Sequence, residues 1–297
     1  MTLVESFQVG AWRCHALDGG RQMLDGGAMF GVVPKPLWEK RIPADARNRI
    51  PLGLRCLLVE HEDGPILIDN GIGNKESAKF KEIYGVDNAG AGGRTRLEDA
   101  LAEVGVQPSD IRWMINTHLH FDHAGGNTMR GEQGAGGGER EVVLAFPNAT
   151  YVVQRGELEF ARTRNERIQA SYQAHNFEPV VAANRFRLIE GDIEILPGIR
   201  SLRTPGHVPH HQSILVTHGG DTACFLADVI PTASHLPLPW IMGYDLEPLV
   251  TLESKRGLLG RATAEDWIMV FEHEPGSGVG RLVPDGKGYA LSPLDGG

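Results

Sequence analysis

Apolar residues in this chain gather in short runs closed by glycine, proline, asparagine or aspartate, a pattern of buried strands more than of long helices. Residues 55–61 (RCLLVEH) and 65–69 (PILID), parted by Asp63-Gly64, predict a β-hairpin in a mostly buried sheet. A glycine-rich loop at 85–93 runs into Thr95-Arg96-Leu97-Glu98, which has the Thr/Glu spacing of a capping box. A helix is therefore predicted from about 96 to 104, stopping at Gly105. Residues 111–116 (IRWMIN) predict a short buried strand that ends at Thr117-His118. Further strands are predicted at 151–153, 187–189, 193–196, 199–202, 212–217 and 222–227, with a helix at 155–164. A helix from about 248 to 261 has Pro248 in its first turn, and 267–271 (WIMVF) closes the series as a strand. The stretch 125–138 holds seven glycines and reads as a surface loop or loose hairpin.

Strands thus come in two clusters, each followed by helices, with no solenoid-type repeat. A two-sheet core covered by helices on the outside suits this order. Composition adds mainly exclusions. The 297 residues are 41% hydrophobic and 23% charged, enough to bury a sizeable core. A formal charge of -9 argues against nucleic acid as the main partner. Cys14, Cys56 and Cys224 are odd in number, far apart and without a Cys-x-x-Cys pair, so they fit small buried hydrophobes in a reducing compartment. The start, Met1-Thr2-Leu3-Val4-Glu5, lacks the basic then apolar pattern of a signal peptide, and no apolar run nears the ~20 residues that span a bilayer. The expected location is cytoplasmic, with neither nucleic acid nor membrane as partner.

Candidate chemistry is concentrated in His118-Leu119-His120-Phe121-Asp122-His123, three imidazoles and one carboxylate within six residues. On a strand-to-loop turn His118 and His120 project the same way, and Asp122 and His123 can turn to a second point nearby. These ligand types suit zinc first, with iron, cobalt or manganese as alternatives. Three more groups occupy matching places: His207 in Thr204-Pro205-Gly206-His207, Asp228 after the 222–227 strand, and His273 after the 267–271 strand. Each lies at the C-terminal end of a predicted strand, so one edge of the sandwich can gather all seven.

In these motifs the chain resembles the metallo-β-lactamase superfamily, with its His-x-His-x-Asp-His, a lone His, an Asp and a final His. The resemblance implies a single domain over 1–297 with an α/β (α+β) fold: an αββα sandwich of two mixed β-sheets flanked by helices. It implies two divalent metal ions, the first on His118, His120 and His207, the second on Asp122, His123 and His273, with Asp228 bridging. Leu67-Ile68-Asp69-Asn70-Gly71 resembles the family's Leu-x-Asp-Thr-Gly strand end, with Asn70 replacing Thr, and implies that Asp69 holds the distal N–H of a ligand imidazole.

Within the superfamily the likeness is to the quorum-quenching, N-acyl-homoserine lactonase branch, and there to YtnP-type bacterial lactonases. It is carried by residues 24–35 (LDGGAMFGVVPK), Ile72-Gly73-Asn74, Phe146-Pro147-Asn148-Ala149 and the stretch from Ala227-Asp228 through Pro231-Thr232 to His235. An N-terminal loop, about 20–36, is expected at the pocket or at a homodimer contact. Met29 and Phe30, flanked by glycines, are read as an acyl-chain wall, with a dimer contact or core anchor as alternatives, and His235, in a proline-rich loop seven residues past Asp228, as a further pocket residue. Acyl-homoserine lactonases place a tyrosine three residues after the bridging Asp, where this chain has Pro231. Their Gly-His after Thr-Pro-Gly-His is His210-His211 here; His211 is read as a hydrogen-bonded structural imidazole, and His15, His61, His175 and His218 as surface or core residues. Trp240 and Tyr244 are read equally as core.

The activity so implied is lactone-ring opening by attack of a metal-bridging hydroxide on an ester carbonyl, with Asp122 as proton shuttle. Phosphotriester hydrolysis (methyl parathion hydrolase-like) and thioester hydrolysis are the enzymatic alternatives, since one metal pair can serve several electrophiles. A non-catalytic metal-binding scaffold is the remaining reading, disfavoured because all seven ligand positions are filled.

Overall fold

The strands of this chain alternate their apolar side chains between two environments, and that alternation stacks the layers. The computed structural model describes residues 2–131, 141–163, 165–286 and 288–294. A first sheet contains β1 (Val4–Val9), β2 (Trp12–Asp25), β3 (Arg49–Val59), β4 (Ile66–Ile68) and β5 (Trp113–Ile115). A separate ribbon of β6 (Thr128–Arg130) and β7 (Val142–Leu144) follows, before β8 (Thr150–Gln154) and β9 (Phe186–Ile189) complete the first sheet in the order β1-β2-β3-β4-β5-β8-β9. A second sheet runs β10 (Glu194–Leu196), β11 (Ile199–Arg203), β12 (Gln212–His218), β13 (Asp221–Phe225), β14 (Ile268–Val270), β15 (Val279–Asp285) and β16 (Gly288–Pro293) in sequence order. Both sheets are mixed: β4, β5, β8 and β9 pair in parallel, as do β13 and β14, and the other neighbours are antiparallel.

Ile66 and Ile68 of β4 face the second sheet, where Ile214, Phe225 and Val270 meet them, while Leu67 points outward. The helices are α1 (Gly26–Phe30), α2 (Lys35–Trp38), α3 (Ala78–Tyr84), α4 (Arg96–Glu103), α5 (Phe121–Ala124), α6 (Arg155–Ala161), α7 (Glu178–Ala182) and α8 (Pro248–Ala264). Helix α4 begins at the predicted capping box, with Thr95 and Glu98 bonding each other's backbone, and lays Leu97, Ala100 and Leu101 on Leu67 and Met114. Helix α8 covers the other sheet, its Leu258, Leu259 and Ala262 packing on Leu215, Cys224 and Met269. The result is the expected αββα sandwich. No helix among the described residues is long and apolar enough to cross a membrane.

Several elements differ from expectation. Much of the stretch 20–36 is not loop: β2 continues to Asp25, whose side chain accepts from Ala28 N–H and starts α1, and α2 follows Pro34. The alternation of β2 was hidden by a bulge at Gly19–Gly20, where Asp18 pairs with Arg55 but Arg21 with Gly53, one extra residue in β2. Strand β14 does not close the series, because β15 and β16 follow; their half-exposed faces, with Pro284 and Pro293, carry little periodic signal. Strands β1 and β2 were likewise unforeseen. Of the glycine-rich stretch 125–138, Gly125–Asn127 forms a 3-10 turn and Thr128–Arg130 a strand, and 132–138 lie outside the described residues, as do Met1 and the end of the predicted 155–164 helix, Arg164.

Candidate metal centre

Strands β4, β5, β11, β13 and β14 all end at one edge of the sandwich, and each hands the chain to a polar residue there. Asp69 follows β4, His118 follows β5, His207 follows β11, Asp228 lies in the 3-10 turn Ala227–Val229 after β13, and His273 follows β14. His120 caps α5, which carries Asp122 and His123. The turns are tightly built. Asp69 (φ 50) and Ala227 (φ 48) are non-glycine residues in left-handed conformations, a local cost typical of functional turns. Gly206 (φ 131) packs so closely on Thr251 that a Cβ would collide with its backbone nitrogen.

The structure brings all seven residues together in two groups. His118, His120, His207 and Asp228 offer ligand atoms within 4.8 Å of one another, and so do Asp122, His123 and His273. His207 Nε2 lies 3.2 Å from His120 Nδ1 and 3.0 Å from Asp228 Oδ2. His273 Nε2 lies 3.2 Å from His123 Nε2 and 3.0 Å from Asp228 Oδ1, and 3.8 Å from Asp122 Oδ2. Asp228 therefore turns one oxygen to each group.

The outer hydrogen bonds fix which nitrogens carry protons. His273 Nδ1 donates to Gly53 O at 2.8 Å, and His123 Nδ1 faces Asp69 Oδ2 at 3.0 Å and Glu272 Oε2 at 2.9 Å. His207 Nδ1 faces Asp245 Oδ1 at 3.0 Å. Thr117 Oγ1 donates to Asp69 Oδ2 and so accepts from His118 Nδ1 at 3.1 Å. In neutral rings the Nε2 lone pairs of these four histidines are then bare and point inward. Those of His123 and His273 confront each other, and His118 Nε2 is buried without a hydrogen-bond partner among the described residues. Such lone pairs need a shared electrophile, and a pair of divalent cations fits the donor set of five imidazoles and two carboxylates.

Electrostatics agree with that fit. Burial, together with the neighbouring imidazoles, holds His118 and His120 well below the usual histidine range. Burial works the same way on His207 and His273, yet Asp228 outweighs it, helped by Asp245 and Glu272 respectively, and lifts them to about 10 and about 9. Asp228, despite its burial, is held well below the carboxylate range by His123, His207 and His273. The cluster attracts positive charge, and cations would displace its protons.

A cavity of about 250 Å³ opens over both groups. Leu24, Met29, Ile168, Met242 and Leu246 give it apolar walls, and Tyr84, Tyr244 and Arg167 add polar groups. Burial pushes the Tyr244 phenol up to about 12, so it stays a neutral donor. Of the three residues expected in the pocket, Met29 lines it, but Phe30 and His235 lie behind it. Phe30 stacks between Trp38 and His235, at ring-centroid distances of 5.4 and 4.4 Å. His235 donates from Nε2 to Met29 O and accepts at Nδ1 from Thr232, so it supports the wall without facing the cavity. Tyr244 lines the cavity, while Trp240 packs edge-on against Phe30.

His211 is wholly buried, with Nδ1 on Thr204 Oγ1 and Nε2 accepting the Asp228 N–H at 3.2 Å. Sequence reasoning gave no role to Asp245, Gln22 or Glu272, which touch His207, Asp122 and His123. Single polar residues carry no motif; the Tyr-Asp that ends the Trp240 to Asp245 loop was the nearest signal.

A family model for the metallo-beta-lactamase superfamily matches residues 50–273. An N-acyl homoserine lactonase of Bacillus cereus is 36% identical over 177 residues, 57% of this chain, and the match spans only 60% of that relative's length. An N-acyl homoserine lactonase of Bacillus thuringiensis is 32% identical over 272 residues, 88% of this chain and 93% of the relative. The solved structure of a probable metal-dependent hydrolase from Staphylococcus aureus superposes with a TM-score of 0.85 at 32% identity, covering 97% of this chain and 99% of that one.

Proposed function

This chain belongs to the metallo-beta-lactamase superfamily, and from that premise we propose that it is a dinuclear metal-dependent lactonase that opens N-acyl homoserine lactones. One observation carries the reading: Asp228 offers one oxygen to each of two ligand groups, directly beneath a cavity with apolar walls. His118, His120 and His207 would hold the first cation and Asp122, His123 and His273 the second, with Asp228 shared. Two such cations supply Lewis acidity, making water a nucleophile near neutral pH and polarising a carbonyl.

The chain's own residues do the rest. Leu24, Met29, Met242 and Leu246 take the acyl tail and exclude water from the ester. Tyr244 offers a neutral phenol donor to a substrate oxygen, in a chain that has Pro231 where acyl-homoserine lactonases place a tyrosine. Asp122, at the cavity floor, is placed to take a proton from the attacking water and return it to the leaving alkoxide. The nitrogen-rich donor set supports zinc as the metal. The free, buried cysteines support a reducing, cytoplasmic setting. Val32, between α1 and α2, and Leu37, on α2, are 91% and 50% exposed and support a homodimer contact there.

The test is a side-by-side rate comparison on an acyl-homoserine lactone, a phosphotriester and a thioester, with metal content measured on the same sample. Two metals per chain and a dominant lactone rate are expected. A dominant phosphotriester or thioester rate would move the substrate class, and metal-loaded protein without turnover would leave only a scaffold.

A further inference from the structure

Gln22 is wholly buried, yet nothing in the packing of the fold asks for an amide at that position. It lies on β2 just past the Gly19–Gly20 bulge, opposite Leu52 of β3. Its Nε2 donates to Asp122 Oδ2, across 100 residues of sequence. Its Oε1 is equally buried and has no hydrogen-bond partner among the described residues. An amide with half its capacity unmet costs free energy at a site where a leucine or methionine would simply pack. Such a cost is retained where it serves a site, and bulges commonly re-aim a side chain beside one.

The same stretch of sheet touches a second ligand. Gly53, paired with Arg21 next to Gln22, accepts from His273 Nδ1 and donates its N–H to His273 O. The bulged β2–β3 segment thus reaches two of the three residues of the Asp122, His123, His273 group. Both Asp122 oxygens border that group: Oδ1 lies 3.9 Å from His123 Nε2, and Oδ2, the oxygen the amide holds, lies 3.8 Å from His273 Nε2.

We propose that Gln22 is a positioning residue for the second cation: its amide holds the Asp122 carboxylate in place against His123 and His273, at the expense of the metal-free chain's stability. This rests on reading Asp122 as a metal ligand. A residue retained only for packing would show the opposite balance, with stability lost on substitution and metal binding untouched.

The experiment compares full-length wild type, Gln22→Met, Asp122→Asn and the double variant. Chelator competition with cobalt(II) gives the affinity of each metal equivalent, with the cobalt absorption spectrum as reporter, and thermal unfolding is followed without metal. Gln22→Met is expected to weaken the second equivalent by ~10–100-fold, leave the first unchanged, and leave the metal-free melting temperature unchanged or raised. In the Asp122→Asn background the same substitution should add little, because the amide acts through that carboxylate. An unaltered second equivalent, additive losses in the double variant, or a metal-free protein that melts earlier or fails to fold would each overturn the proposal. Wild-type protein that takes up fewer than two equivalents would instead bring down the metal-ligand reading beneath it.

Discussion

Asp245 Oδ1 sits 3.0 Å from His207 Nδ1, and the other oxygen of the same carboxylate accepts the Met242 N–H at 3.1 Å. One side chain therefore sets the tautomer and orientation of a candidate ligand and pins the loop that supplies Met242 and Tyr244 to the cavity. Asp245→Asn is expected to weaken the first metal equivalent by ~10–100-fold and to raise KM together with it. Metal retained after dialysis against a graded series of chelators measures the first effect and steady-state kinetics the second. Unchanged retention would show that His207 needs no such partner.

Asp228 is the residue both groups share, so its loss should be felt twice. Asp228→Asn is expected to lower metal content below two per chain and to abolish lactone turnover. Asp122→Asn should remove turnover while the first equivalent stays bound. Elemental analysis beside turnover separates the two; a fully metallated, active Asp228→Asn protein would refute the shared carboxylate.

The parts of this site that the sequence disclosed are those with local spacing. His118, His120, Asp122 and His123 lie within six residues, and His207, Asp228 and His273 each follow a predicted strand, so strand patterning points to their common edge. What stayed hidden depends on contacts between distant residues. Gln22 meets Asp122 across 100 residues, and Asp245 meets His207 across 38, with no motif on either side. Strands β15 and β16 were missed because their half-exposed residues and prolines blur the period-two signal. The glycines around Phe30 suggested an open loop, whereas Gly26 is there because Trp38 packs on its Cα and Gly31 because the chain turns at φ 57 against the Ile241 carbonyl. Glycine marked close packing, not exposure.

That distinction makes Phe30 a stability residue. It is fully buried between the Trp38 and His235 rings, so Phe30→Ala should cost about 3–5 kcal/mol in urea unfolding. Its effect on KM should be similar for short and long acyl chains. Met29→Ala, altering the wall itself, should instead change chain-length preference. A KM shift confined to long chains in Phe30→Ala would return Phe30 to the pocket.

Glu157 links this scaffold to pH. Its Oε1 accepts the Leu119 N–H at 3.0 Å and the Tyr172 hydroxyl at 2.8 Å, and burial raises the carboxyl to about 7 from an ordinary 4.5. Below pH 4.5 folded and unfolded chains are both protonated here, and the contribution to stability is fully present. As pH rises toward 7 the unfolded chain ionises first, so the folded state binds the extra proton and stability falls, by about 3 kcal/mol if the whole shift is expressed. Above about 7 the folded carboxyl ionises too and the loss levels off. Glu157→Gln keeps an acceptor for both donors but removes the titration. Metal-free wild type and variant should therefore converge in urea midpoint at low pH and separate toward neutrality, with the variant the more stable at pH 7. A constant offset across that range would mean that the Glu157 carboxyl titrates at the same pH in the folded and unfolded chain.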